Sequence, residues 1–96
     1  MSVQRVLEQE KIRGLVERLK AEDHAAVEAE LTLMGPGAVP ALIEALERRD
    51  VELRRHAFQV LQGIVEGAAV FDPFAPEALR RQQISSLREQ YERKAG

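Results

Sequence analysis

The chain has 96 residues, 31% of them charged and none of them cysteine or tryptophan. That length allows one small domain, and the lack of cysteine excludes a disulfide framework, a thiolate zinc site and a cysteine nucleophile. A net charge of −2, from 14 basic and 16 acidic side chains, supplies no overall field for holding DNA or an anionic membrane.

Apolar residues recur with a helical period along nearly the whole chain, and no stretch alternates with period two. The fold class is therefore all-α, a single domain over 1–96. The first helix is predicted over 3–20, with Ile12, Leu15, Val16 and Leu19 on one face. Val3, Val6 and Leu7 point roughly opposite if that helix is continuous. Either it breaks near Glu8–Glu10 and folds back, or the three form an outward apolar seam for a partner helix or a second copy.

The second helix is predicted over 24–34, with Asp23 as its N-cap and Val27, Leu31 and Met34 inward. Gly35 suits a left-handed C-terminal position, and Pro36 cannot continue the helix it follows. The third is predicted over 38–48, with Pro40 in its first turn and Val39, Leu42, Ile43 and Leu46 inward. Asp50 caps a fourth over 51–65, whose inward row is Leu53, Ala57, Val60, Leu61 and Ile64. A loop then carries Val70, Phe71 and Phe74. The favoured reading has these plug the open end of the stack, against the alternative of an anchor for a partner. The last helix is predicted over 77–94, opened by Pro76, with Ile84, Leu87 and Tyr91 packing back.

Shifting the sequence by 27 residues lays Leu15 on Leu42, Val16 on Ile43, Leu19 on Leu46, Asp23 on Asp50 and Met34 on Leu61. A single helix pair of this size cannot bury its apolar stripe, whereas stacked pairs can. The run Leu33-Met34-Gly35-Pro36-Gly37-Ala38-Val39-Pro40-Ala41-Leu42-Ile43-Glu44-Ala45-Leu46 resembles the first helix of a short prokaryotic HEAT repeat, the phycobilisome-lyase-like class. Asp50, Leu53, Arg54 and Ala57 resemble that family's second helix. Two positions depart from it. Glu30 stands where the family has a small residue, and Val27 where it has arginine. The resemblance implies a short α-solenoid. Its first helix pair spans about 11–35 and its second about 36–65, followed by a closing loop and helix over 66–96. It also implies a binding scaffold, although fold alone does not fix function.

The chemistry-bearing residues are sparse. His24 and Glu28 stand four apart on one helix face, a spacing that can hold a metal, but zinc sites use three or four ligands. His56 follows Glu52 by four and is expected to form a surface pair. Ser2, Ser85 and Ser86 sit in no nucleophile elbow. Gly35-Pro36-Gly37 lacks the lysine of a phosphate loop. No catalytic, cofactor or metal residues are assigned, and the chain is read as a non-enzyme. The pairs Arg48-Arg49, Arg54-Arg55 and Arg80-Arg81 suggest a basic edge for nucleic acid. Pairing of Arg48 with Glu44 and of Arg54 with Asp50 is the competing explanation.

The expected function is protein–protein interaction, as an adaptor whose contact surface is the exposed face of the second helices: Glu28, Thr32, Arg55, Gln59, Gln62 and Glu66. Val3, Val6, Leu7, Phe71 and Phe74 are the candidate apolar contacts. A nucleic-acid accessory role and a lyase-type chromophore handler are the alternatives. The expected partner is another protein or a second copy, without a membrane. Residues 1–5 lack the apolar run of a signal peptide, no spanning segment is read, and the chain is expected in the cytoplasm.

Overall fold

The computed structural model describes residues 3–20, 23–65 and 71–95, with side chains over 6–20, 23–65 and 71–91. Among the described residues five α-helices follow one another: α1 (Val3–Glu17), α2 (His24–Met34), α3 (Val39–Ala45), α4 (Val51–Ile64) and α5 (Glu77–Ala95). Short 3-10 turns close α1 (Arg18–Lys20) and join α2 to α3 (Gly35–Ala38). Among the described residues there is no strand.

The inward rows read from the sequence form the core. Ile12, Leu19, Leu31, Leu42, Leu46 and Leu53 are fully enclosed, and Val16, Val27, Val39, Ala57, Val60 and Leu61 pack with them. Gly35 ends α2 at φ +69°, a backbone conformation costly for any residue with a Cβ. Pro40 lies in the first turn of α3, where no intrahelical N–H is lost.

The two capping aspartates behave differently. Asp50 Oδ1 accepts from the backbone N–H groups of Glu52 and Leu53, at 2.9 and 3.2 Å. Asp23 makes no such cap; its carboxylate turns back to the guanidinium of Arg18. Asp23 lies at ψ 23°, not at the extended ψ of 112° that aims the Asp50 side chain along its helix.

The α-helical part of α3 stops at Ala45, short of the predicted 48. Glu47 N–H and Arg48 N–H donate to carbonyls three residues back, which tightens the last turn. The free carbonyls of Arg48 and Arg49 are then taken by the Arg54 guanidinium.

Cross-helix contacts fix the arrangement. Lys11 meets Glu30, so α1 and α2 lie side by side. Gln9 donates to the Gly37 carbonyl and Glu17 binds Arg48, so α1 and α3 run in the same direction. His56 meets Glu28, and Gly63 faces Thr32, so α2 and α4 also run in the same direction. The helix α5 runs opposite to α3, with Arg88 near Glu47 and the Tyr91 hydroxyl donating to the Pro36 carbonyl. Ile84 and Leu87 are buried and Tyr91 packs on the core, as their spacing predicted.

Two readings that the sequence left open are decided here. First, α1 is continuous from Val3, so there is no break near Glu8–Glu10, and Val6 and Leu7 stay exposed. The Val3 side chain lies outside the described residues. Second, the aromatic plug is half right: Phe71 is buried against Phe58, ring centroids 5.4 Å apart, while Phe74 is 70% exposed. The division follows from the Asp72 turn, whose Oδ1 accepts from Phe74 N–H and turns the chain outward. Val70 lies outside the described residues. The helical run His24–Ala45, 22 residues long, contains an 18-residue window of mean hydropathy 1.2, enough by length and composition to cross a membrane. In the fold its Val27, Leu31, Val39, Leu42 and Ile43 are buried against other helices, the setting of a core helix.

Candidate functional site

Because α2 and α4 run side by side, they bring together residues that no local spacing connects. His24 opens α2 and Glu28 follows one turn later; His56 sits on the second turn of α4. The two imidazoles stack, centroids 4.2 Å apart and planes 26° apart. Glu28 lies beside both. Its Oε1 is 3.2 Å from His56 Nδ1 and its Oε2 is 3.6 Å from His24 Nδ1. Among the described residues, this is the one group of three histidine or carboxylate side chains with ligand atoms converging within 4.8 Å.

A further carboxylate backs the cluster. Glu52 Oε2 is 3.7 Å from His56 Nε2, the pairing the sequence predicted, and also accepts from Arg55 Nη1 at 2.7 Å. The His56 side chain is only 13% exposed, so it is held between two carboxylates and not free on the surface. His24 Nδ1 is shielded from solvent and has no hydrogen-bond partner.

Further along the same face, Thr32 Oγ1 donates to the Glu28 carbonyl at 2.8 Å. Gly63 brings α4 close, such that a Cβ there would meet the Thr32 methyl at 3.8 Å. Arg55, Gln59 and Gln62 are exposed on the flank of α4. Of the six predicted contact residues, five therefore lie on or beside this junction, and Glu66 lies outside the described residues. Glu28 differs from the others in being committed to the two histidines.

The arginines do other work than the sequence suggested. Arg48 pairs with Glu17 of α1, at 2.5 Å, not with Glu44. That bond holds its pKa above the ordinary arginine value. Arg54 is 6% exposed and makes no surface pair with Asp50. Its Nε and Nη2 donate to the Pro73 carbonyl at 3.0 and 2.7 Å, and its Nη1 to the carbonyls of Arg48 and Arg49, each at 2.8 Å. Burial, then the nearby Arg80, push its pKa down, while Asp50 favours the charge. Arg80 donates to the Ala75 carbonyl, Arg81 pairs with Glu77, and Arg88 pairs with Glu47.

No family model, curated protein or solved structure matches this chain.

Proposed function

We propose that this chain is a short α-solenoid of two HEAT-like helix pairs closed by α5, and that it acts as a non-catalytic protein-binding adaptor. The observation that carries the reading is the common direction of paired helices. Bonds between α1 and the α3 region join residues 28 and 31 apart, and the bond between α2 and α4 joins residues 28 apart. These separations lie near the 27-residue offset that superposes the apolar pattern. Two hairpins stacked in register leave one continuous flank, with Thr32 from the first and Arg55, Gln59 and Gln62 from the second.

The arginines favour this reading over nucleic acid. Arg48, Arg81 and Arg88 are engaged by carboxylates, and Arg54 by backbone carbonyls, which leaves little of a continuous basic edge for phosphates. The lyase-type alternative draws on the repeat alone. Phe74 and the Val6–Leu7 pair are exposed apolar residues that suit a second contact. Phe74→Ala should change stability by no more than about 0.5 kcal/mol, as expected for an exposed side chain, so it is a clean probe of binding.

The test is capture of partners by the full chain from its own cells, repeated with Arg55→Glu and Phe74→Ala. Loss of a specific partner with Arg55→Glu, while the melting curve stays unchanged, is the expected result. Retention of every specific partner by both variants would contradict the assignment of these surfaces. Sedimentation at micromolar concentration decides between a partner helix and a second copy at Val6 and Leu7.

A further inference from the structure

We propose that His24, Glu28 and His56 form a binding site for one divalent cation of borderline softness, of the Zn2+ class, which fastens α2 to α4. The site stands on its own observations and does not depend on the adaptor reading.

The donor set comes first. Two imidazoles and one carboxylate suit zinc and its neighbours, whereas magnesium and calcium take oxygen ligands and water. Zinc with three protein ligands and an open position for water is a common arrangement. With metal–ligand bonds of about 2.0–2.2 Å, neighbouring ligand atoms in a tetrahedral site stand roughly 3.3 Å apart. The Glu28 oxygens already lie 3.2 and 3.6 Å from the two Nδ1 atoms. All three ligand atoms converge within 4.8 Å, and the imidazole planes, stacked 26° apart, would have to turn for both lone pairs to meet on one ion.

Two further observations point to a ligand at this spot. His24 Nδ1 is shielded from water and lacks a hydrogen-bond partner, although it faces the cluster. A bound cation would take that lone pair. His56 Nε2 faces the Glu52 carboxylate at 3.7 Å. A cation on His56 Nδ1 would replace the Glu28 contact made there and place the ring proton on Nε2, toward Glu52, which is how outer carboxylates orient metal-bound histidines. Arg55, bonded to the same Glu52 oxygen, fixes that carboxylate in turn.

The consequence is mechanical. His24 and Glu28 belong to the first hairpin and His56 to the second, so the cation ties the two together at the N-terminal ends of α2 and α4. A ligand that binds only the folded state raises its stability by mass action.

The experiment uses the full chain without a histidine tag. Isothermal titration with Zn2+ should show one saturable site per chain, with millimolar Mg2+ failing to compete. Co2+ at the same site should give visible absorption bands of a low-coordinate nitrogen–oxygen environment. At Zn2+ a hundredfold above Kd, Tm should rise by roughly 10–20 °C. Glu28→Gln and His24→Gln should each lower affinity by more than about tenfold, and Glu52→Gln, which removes no ligand, by about tenfold. The His24 side chain is 41% exposed, so its variant keeps the fold and decides the matter if Glu28→Gln does not. Absence of a saturable site in the wild-type chain, or unchanged Zn2+ affinity in folded His24→Gln, would overturn the proposal.

Discussion

Replacing Arg54 by alanine is expected to lower stability by about 2–5 kcal/mol, since it strands three carbonyl acceptors at about 1–3 kcal/mol for each that stays buried. A domain of this size has on the order of 5–15 kcal/mol in all, so this one side chain decides much of the melt. The reason is its position. One guanidinium joins the carbonyls of Arg48 and Arg49, at the α3–α4 turn, to the Pro73 carbonyl in the loop before α5. Truncation strands three acceptors and releases that loop, which also carries the buried Phe71. Lysine keeps the charge but not the planar fork that reaches both sides, so Arg54→Lys should recover only part of the loss. Had Arg54 been the surface partner of Asp50, as its spacing suggests, alanine would cost no more than about 0.5 kcal/mol. Urea unfolding separates the two outcomes.

Leu42→Ala is expected to cost about 3–5 kcal/mol, at the upper end for a leucine whose site cannot collapse. Leu42 is fully enclosed in the core. Leu15, its counterpart at the 27-residue offset, is also buried but with slight exposure, so Leu15→Ala should cost less, about 2–3 kcal/mol. The loss should appear as a lower urea midpoint with an unchanged slope. A loss under about 1 kcal/mol at Leu42 would mean that its surroundings are not those of a packed core.

The helices were legible because burial here follows a 3.6-residue period and each break carries its own chemistry. The rows around Leu15, Leu42 and Leu61, the Gly35-Pro36 stop and the Asp50 cap all sit where the pattern put them. Asp23 misled because an N-cap depends on the backbone angles of the capping residue, and Asp23 is not extended as Asp50 is. Arg48 and Arg54 misled for a different reason. The i, i+4 rule describes an isolated helix, and it cannot anticipate a carboxylate on α1 or a carbonyl nineteen residues away.

The histidine pair was missed on the same ground, although one signal for it was present. The repeat offset lays Glu28 on Arg55, which puts His56 one position from level with Glu28. Once α2 and α4 are set side by side, that register brings the second histidine to the first pair. Leu33, 88% exposed on α2, is an apolar residue whose exposure nothing in the fold explains.

The shared flank and the cation site both require α2 and α4 to lie side by side in the same direction. The chain has no cysteine of its own, so a pair introduced as Thr32→Cys with Gly63→Cys reports on that contact without interference. A Cβ at Gly63 would stand 3.8 Å from the Thr32 methyl, so the two positions face each other across the α2–α4 junction. Oxidation in dilute solution should give a monomeric, internally bridged product whose tryptic digest links the two sites, with a Tm above that of the reduced form. Exclusively intermolecular dimers would contradict the arrangement and with it the shared flank and the cation site.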